Sequence, residues 1–369
     1  MSEKTRSYKS QKSASSFLVN FVLILICIVW LVPTIGIFIT SFRNPTQIYS
    51  SGWWTVFPHK GLVETGTITL PAETDPNAPI TIEGYTASFD EWRNSITLPD
   101  GRILTWQGNK RSRTIVVEQE KWLWFDTRLT LQNYQDTLSG KTITYQDANG
   151  NTIQRQGNNL GGAFINSIAV AVPSTIIPIL IAAFAAYGFA WMNFPGRKIL
   201  FTVVVALLVV PLQLALVPIL RDYTSLGLNG TYLAMWLAHT GFGLPLAIYL
   251  LFNYIGTLPR DILESAFIDG ASHFTIFQKL ILPLSIPALA SFAIFQFLWV
   301  WNDYLVALVF LGDKNRVVTS ALAAMVGEKG QDWHLLTSGA FISMLLPLAV
   351  FFALQRFFVR GLMAGSVKG

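Results

Sequence analysis

Six stretches of this chain run for about twenty residues or more with almost no charge, and they decide what it can become. They are Phe17 to Phe42, Ala163 to Trp191, Ile199 to Leu220, Leu233 to Tyr254, Pro287 to Leu311 and Leu335 to Val359. A hydrocarbon layer about 30 Å thick holds no water for backbone N–H and C=O groups, so apolar runs of this length cross it as helices. Composition agrees: 52% of residues are hydrophobic and 13% charged, where soluble domains carry roughly 25% charged. The expectation is an all-α membrane protein with six transmembrane helices in a lipid bilayer.

The first run, 17–42, follows Lys4, Arg6, Lys9 and Lys12 in a tail over 1–16, as a signal peptide would. It is longer than the apolar core of about 7–15 residues in a signal peptide, and Arg43-Asn44-Pro45 is no small-residue cleavage site, so an uncleaved anchor is expected. Cys27 is the single cysteine, which excludes a disulfide framework and a cysteine metal site. Lys and Arg set orientation in short loops. Arg197, Lys198, Arg260, Lys279, Arg356, Arg360 and Lys368 fall on the side of the N-terminal tail, against Arg221, Lys314, Arg316 and Lys329 opposite. Both termini, including a C-terminal tail over 361–369, are therefore expected in the cytoplasm. The net charge of +5 is topological. No basic patch with interleaved aromatics suggests nucleic acid.

Residues 43–162 differ in composition and are long enough for an external domain. Strand-like runs recur at Gly66 to Leu70, Ala78 to Phe89, Ser95 to Trp106, Arg113 to Phe125 and Gly140 to Gly157. Pro99-Asp100-Gly101 and Asn149-Gly150 supply turn chemistry for two hairpins. A small external β-rich domain between the first two helices is expected, either a docking surface for an outside partner or an insertion without a direct role. Leu138 to Thr142 reads LSGKT, but a phosphate-binding loop needs a glycine where Gln135 stands. Nucleotide binding by this chain is not expected.

Catalytic constellations are also missing from the sequence. His59, His239, His273 and His334 show no i, i+4 metal spacing. Polar residues inside apolar runs are costly and carry functional weight when ionisable. Gln213, His239, Gln296, Trp299, Asn302 and Asp303 are candidates for lining a solute pathway. Interhelical hydrogen bonding is the plainer reading of Gln213, His239 and Gln296. Asp303, near the outer end of its run, could equally join Trp299, Trp301 and Tyr304 in an interfacial aromatic belt. Prolines at 173, 178, 211, 218, 245 and 347 suit a bundle with irregular, cavity-lining backbone.

The loop 257–287 falls on the cytoplasmic side and contains ESAFIDGAS, Glu264 to Ser272. Leu258-Pro259-Arg260-Asp261 starts a short helix, with Asp261 and Glu264 at its positive end and Gly270 as its stop. Ile262, Leu263, Ala266 and Phe267 make one apolar face. A second helix starts with Ser272 as N-cap and is expected to end at Pro283. An acidic face disfavours anionic lipid and favours a protein partner.

These residues resemble the signature of permease subunits of bacterial ABC importers, E-A-A-x-x-x-G-x9-I-x-L-P. Glu264, Ala266, Gly270, Leu282 and Pro283 match; Ser265 and Leu280 depart conservatively. FINSIAVAVPST, AAYGFAWMNFPGR, WVWNDYLVALVF and QRFFVRGLMAGSVKG are similar to the maltose-type second permease, and the enlarged first loop to α-glucoside permeases. The resemblance implies an ABC importer permease fold with its core over 163–360. It implies a homologous permease subunit, a homodimer of ATPase subunits holding ATP and Mg, and an extracytoplasmic sugar-binding protein as partners, with no cofactor in this chain and no catalysis of its own. It implies that Ile262, Glu264, Ala266, Phe267, Ile268, Asp269 and Gly270 couple to the ATPase, joined by Ser366 and Lys368. Glu328, Lys329, Gly330, Gln331, Asp332 and Trp333 would meet the binding protein. An ion-coupled secondary transporter, or an importer of a non-sugar solute, is the alternative.

Overall fold

The computed structural model describes residues 2–71, 73–110, 112–124, 129–140, 142–146, 152–157, 159–329 and 333–364. The chain divides into two compact units, one of residues 1–32 and 46–130 and one of 33–45 and 131–369.

In the first unit, α1 (Ser2–Ser41) contributes its N-terminal part. Then come α2 (Pro45–Ser50), a 3-10 turn (Trp53–Val56), β1 (His59–Thr69), β2 (Ile80–Ile82), β3 (Tyr85–Ala87), α3 (Phe89–Arg93), β4 (Ile96–Thr97), β5 (Arg102–Gln107) and β6 (Thr114–Leu123). Four strands form an antiparallel sheet in the order β1-β6-β5-β4. The long β1–β6 pair runs from His59 opposite Leu123 to Thr69 opposite Thr114, with a register shift between Glu64 and Gly66. Alternation places Leu104, Trp106, Ile115 and Val117 on one face, where they bury Trp92 completely. The Trp92 indole N–H donates to the Ile80 carbonyl at 3.2 Å, so its one polar atom is paired.

The Pro99-Asp100-Gly101 turn joins β4 to β5, with Gly101 at φ +83°. Ala78 to Phe89, expected as one strand-like run, is instead a hairpin followed by α3. Glu83 and Gly84 both have positive φ, 48° and 86°, the backbone that a two-residue hairpin turn requires. Arg102 clamps this turn, giving Glu83 two hydrogen bonds of 3.0 and 2.6 Å and Asp100 a third of 2.6 Å. The Arg102 N–H and guanidinium hold the Asp100 carboxyl below its usual range. α3 opens with a capping box, and the Ser88 backbone N–H and hydroxyl hold Glu91 below its usual range likewise.

The second unit starts with α4 (Gln132–Ser139) and the antiparallel pair β7 (Thr142–Gln146) and β8 (Thr152–Gln156). Asn149 and Gly150, expected to turn between those strands, lie outside the described residues. α4 joins this unit through Asn133, whose amide donates to the carbonyls of Ser41 and Arg43 at 2.8 and 2.9 Å. LSGKT begins in the last turn of α4 and reaches β7 at Thr142, the reverse of the strand-to-helix order a phosphate loop uses.

The remaining elements are α5 (Leu160–Trp191), α6 (Arg197–Ala206) with a 3-10 turn (Leu207–Val209), α7 (Leu212–Ser225), α8 (Tyr232–Ile255), α9 (Arg260–Ile268), α10 (His273–Ile276), α11 (Leu282–Leu284), α12 (Ile286–Asn302), α13 (Leu305–Phe310), α14 (Val318–Lys329) and α15 (Trp333–Ala364). Among the described residues, four helical segments are long and apolar enough to cross a bilayer: Ser16–Ser41, Leu160–Trp191, Tyr232–Ile255 and Trp333–Phe357. Six unbroken spans are not what forms. The run 199–220 bends by 101° where Pro211 interrupts it, between Val209 and Leu212. The run 287–311 is split as well, because α12 ends at Asn302 and α13 starts at Leu305, after two intervening residues. α12 is preceded across a 72° bend by His273–Leu284, so counting each bent pair as one span gives up to six. The expected stop at Pro283 does not occur; the backbone passes through a π-helical turn, Phe277–Ile281, into α11 and bends at Ser285.

Packing and prolines together explain the bundle. Ala182, Ala183 and Ala186 of α5 share a buried cluster with Ala247 of α8, small residues that let two helices approach closely. A proline inside a helix frees the carbonyl four residues earlier. At three prolines a neighbouring helix supplies the donor. Trp236 donates to Ala169, freed by Pro173, at 2.9 Å. Gln296 donates to Ser174, freed by Pro178, at 3.1 Å. Trp301 donates to Ser343, freed by Pro347, at 3.0 Å. Each irregularity is thus a crosslink between helices rather than an orphaned polar group.

Candidate functional site

Two parts of the second unit gather the residues singled out from sequence. The first is a hook between α8 and α12. Pro259 precedes α9 and leaves no N–H to satisfy at its start. The helix closes with a Schellman pattern: Gly270 donates to Phe267 and Ala271 to Ala266, both at 3.0 Å, with Gly270 at φ +79°. The Ser272 hydroxyl then accepts from the Thr275 N–H at 3.2 Å and caps α10.

The expected single apolar face of α9 divides in two. Leu263 is 1% exposed and packs with Ala266 into the cluster of Tyr187, Ile255, Ile276 and Ile281, fixing the hook to α5 and α8. Tyr187 and His273 join them further, phenol oxygen to Nδ1 at 2.9 Å. Ala266 therefore faces the bundle. Ile262, Phe267 and Ile268 face away, and Ile268 is 85% exposed. Glu264, Asp269 and Gly270 are exposed beside them. Neither Glu264 nor Asp269 has an ionic partner among the described residues. The hook presents an apolar and acidic outer surface on a rigidly seated base.

The second part is a polar cluster inside the bundle. His239 of α8 is fully buried, and its Nε2 lies 3.7 Å from the Asp303 carboxylate. That is beyond hydrogen-bond reach, and neither ring nitrogen has a hydrogen bond. Trp299 meets the imidazole edge to face at 5.1 Å. The Gln296 amide reaches both the Ser174 and His239 carbonyls, the latter at 3.3 Å. It lies where a Cβ on Gly243 would stand, 2.7 Å away, so glycine makes the crossing possible. The Asp303 side chain is only 10% exposed. Its carboxylate accepts from the N–H groups of Val306 and Ala307 at 3.4 and 3.1 Å, starting α13. Its own carbonyl accepts from the Thr319 hydroxyl at 2.7 Å.

Beside this cluster a cavity of about 530 Å³ is lined by Gly241, Gly243, Gln296 and Trp299 with aliphatic and phenylalanine side chains. Gln213 and Asn302 are not brought in. Gln213 is exposed on α7, and Asn302 bonds its own helix at Leu298. The sequence did not mark Ser174 and Thr240, whose buried hydroxyl oxygens lack a hydrogen bond. Nor did it mark Trp236; the proline four residues after its acceptor carbonyl was the available signal. Glu328 and Lys329 end α14, Trp333 begins α15 half exposed, and Gly330, Gln331 and Asp332 lie outside the described residues, as do Ser366 and Lys368.

Apolar helices long enough to cross a bilayer, several of them carrying internal prolines, mark the chain as a membrane component. The chain belongs to the family described as binding-protein-dependent transport system inner membrane component, whose model matches residues 178–363. It is 47% identical over 95% of its length to the osmoprotective compounds uptake permease protein GgtD of Synechocystis sp., covering 91% of that protein. It is 45% identical over 98% of its length to the alpha-glucoside transport system permease protein AglG of Rhizobium meliloti, covering 99% of it. The fold is similar to a chain in the crystal structure of a bacterial ABC transporter involved in the import of the acidic polysaccharide alginate. That match has a TM-score of 0.58 at 15% identity and covers 97% of this chain and 99% of the other.

Proposed function

We propose that this permease carries a sugar, an α-glucoside or a related glycosidic solute, into the cytoplasm at the expense of ATP hydrolysed by partner subunits. The observation that carries the reading is the hook: an acidic and apolar outer face, with Glu264 and the 85% exposed Ile268, on a base locked by Leu263. Such a surface suits a cleft on an ATPase subunit, with Glu264 and Asp269 meeting basic groups there. The substrate class rests on relatives named for alpha-glucosides and, at 33% identity, trehalose.

On this reading each bent pair counts as one span, giving six, with both termini in the cytoplasm and the β unit outside. The partners are a homologous permease, two identical ATPase subunits that hold ATP and Mg, and an extracytoplasmic sugar-binding protein. The cluster of His239, Gln296, Trp299 and Asp303 borders the pathway. Gln213 and Asn302 face it only if a partner subunit closes the remaining wall. Residues 328–333 contact the binding protein, and Ser366 and Lys368 contact the ATPase. The chain itself binds no cofactor and catalyses no reaction.

Glu264→Lys tests the hook. With the ATPase and binding protein co-expressed, membrane insertion stays normal while affinity for the ATPase falls by more than about tenfold, or 1.4 kcal/mol. Uptake in proteoliposomes falls with it. Undiminished assembly and uptake, or uptake that persists without ATP, refute the reading.

A further inference from the structure

The first unit leaves an unusual surface bare. Trp54, Trp122 and Trp124 are 62%, 62% and 72% exposed, and Phe57 is 49% exposed. Large aromatic side chains this open are costly in water and mark contact surfaces. They are gathered by the sheet register. Lys60 is opposite Trp122 at the end of the β1–β6 pair where the chain enters the sheet and leaves it, and Phe57 precedes this end directly. Trp122 and Trp124 are two apart, so they share one face of the strand.

Three observations choose the occupant. The chain enters this end from α1, whose apolar segment Ser16–Ser41 is long enough to span a bilayer. Helical α2 shortens the link, so even stretched the chain brings Trp54 to within roughly 25 Å of Arg43. Two lysines stand among these aromatics. Residues 46–61 and 121–124 hold no carboxylate, only Lys60 and Lys121 with His59. Among the described residues of the β1–β6 pair Glu120 is the nearest acid, and its contact with Lys60 is long, 3.7 Å, with both side chains more than half exposed. Tryptophan and lysine together, tethered near a span, match the bilayer interface, where indoles settle among headgroups and ammonium groups meet lipid phosphates.

We propose that the β unit rests on the bilayer, with Trp54, Phe57, Trp122 and Trp124 seated in the headgroup layer and Lys60 and Lys121 against lipid phosphates. The opposite end of the β1–β6 pair, where Thr69 faces Thr114, then projects into water. This holds the sheet in one orientation on the bilayer and does not depend on which solute is carried.

The test uses the full chain in nanodiscs containing anionic lipid. Cys27, the single natural thiol, is replaced by serine. A nitroxide is attached in turn at Trp124→Cys and at Phe57→Cys, each of which keeps the other three aromatics, and at Glu73→Cys as the distal control. Collisions with oxygen relative to a water-soluble nickel chelate are several-fold higher at 124 and 57 than at 73, and adding Lys60→Glu with Lys121→Glu lowers that ratio. Water-like values at both positions overturn the proposal. So does protection that appears only when the sugar-binding protein is added, which assigns the surface to a protein. ATP-driven uptake measured on the same preparations separates loss of this contact from failure of the transport reading.

Discussion

The β unit and the helical bundle face the same requirement, pairing backbone polar groups away from water, and meet it with different parts. In the β unit the ladder of β1, β6, β5 and β4 pairs the backbone, and polar side chains work at the surface, as Arg102 does on the Glu83 turn. In the bundle, prolines free carbonyls, and Trp236, Gln296 and Trp301 reach across to claim them. The contrast teaches that the β unit is held by its apolar centre, whereas the bundle is held at a few polar crossings whose loss alters helix geometry.

Removing the centre should have the largest effect. Trp92→Ala empties the middle of the β unit and is expected to cost about 3–5 kcal/mol. In the full-length protein, limited proteolysis should then cut within 46–130 while the bundle stays resistant; a bundle that loosens equally would break the comparison. Gln296→Leu comes next, at about 1–3 kcal/mol, because it strands the Ser174 carbonyl that Pro178 frees. Pro178→Ala in the same chain returns a helical donor to Ser174, so thermal denaturation in detergent should show partial rescue. No rescue would mean that the crossing does not act through the proline.

Gly270→Ala is expected to cost about 1 kcal/mol through its left-handed backbone, weakening ATPase association more than folding. The smallest effect is acid sensitivity of the β unit. Glu91 and Asp100 are held below their usual range by hydrogen bonds. Their contribution is complete above about pH 4, the unfolded carboxylate value, and is lost as pH falls through the lower folded values. Denaturation midpoints of the β unit should drop over that window, and less in Glu91→Gln. An unchanged difference between the two proteins would count against the capping box.

Local signals carried much of this architecture. Pro259, Gly270 and Ser272 lie within one or two turns of the structure they determine, so the hook was legible from spacing. Gly101 likewise marked its turn. Pro283 misled, because a π-helical turn ahead of it absorbs the displaced bonding and lets helix continue. Glu83 hid a hairpin, since a glutamate at positive φ is rare and here depends on Arg102, distant in sequence. The division of the α9 face needed knowledge of what lay beneath Leu263. The meeting of His239 with Asp303 joins residues on separate helices, and no periodicity within either helix announces it.

The proline crossings also set a timetable for synthesis. The donor on Gln296 is made 122 residues after the Ser174 carbonyl it serves. At about 5–20 residues per second, α5 waits on the order of ten seconds before its partner emerges. Trp236 arrives after 67 residues, so Ala169 is served earlier. During that interval the freed carbonyls need water or the insertion machinery as a temporary donor. The nascent chain would therefore keep α5 beside a hydrated path, and release it into lipid only when α8 and then α12 have come to claim it.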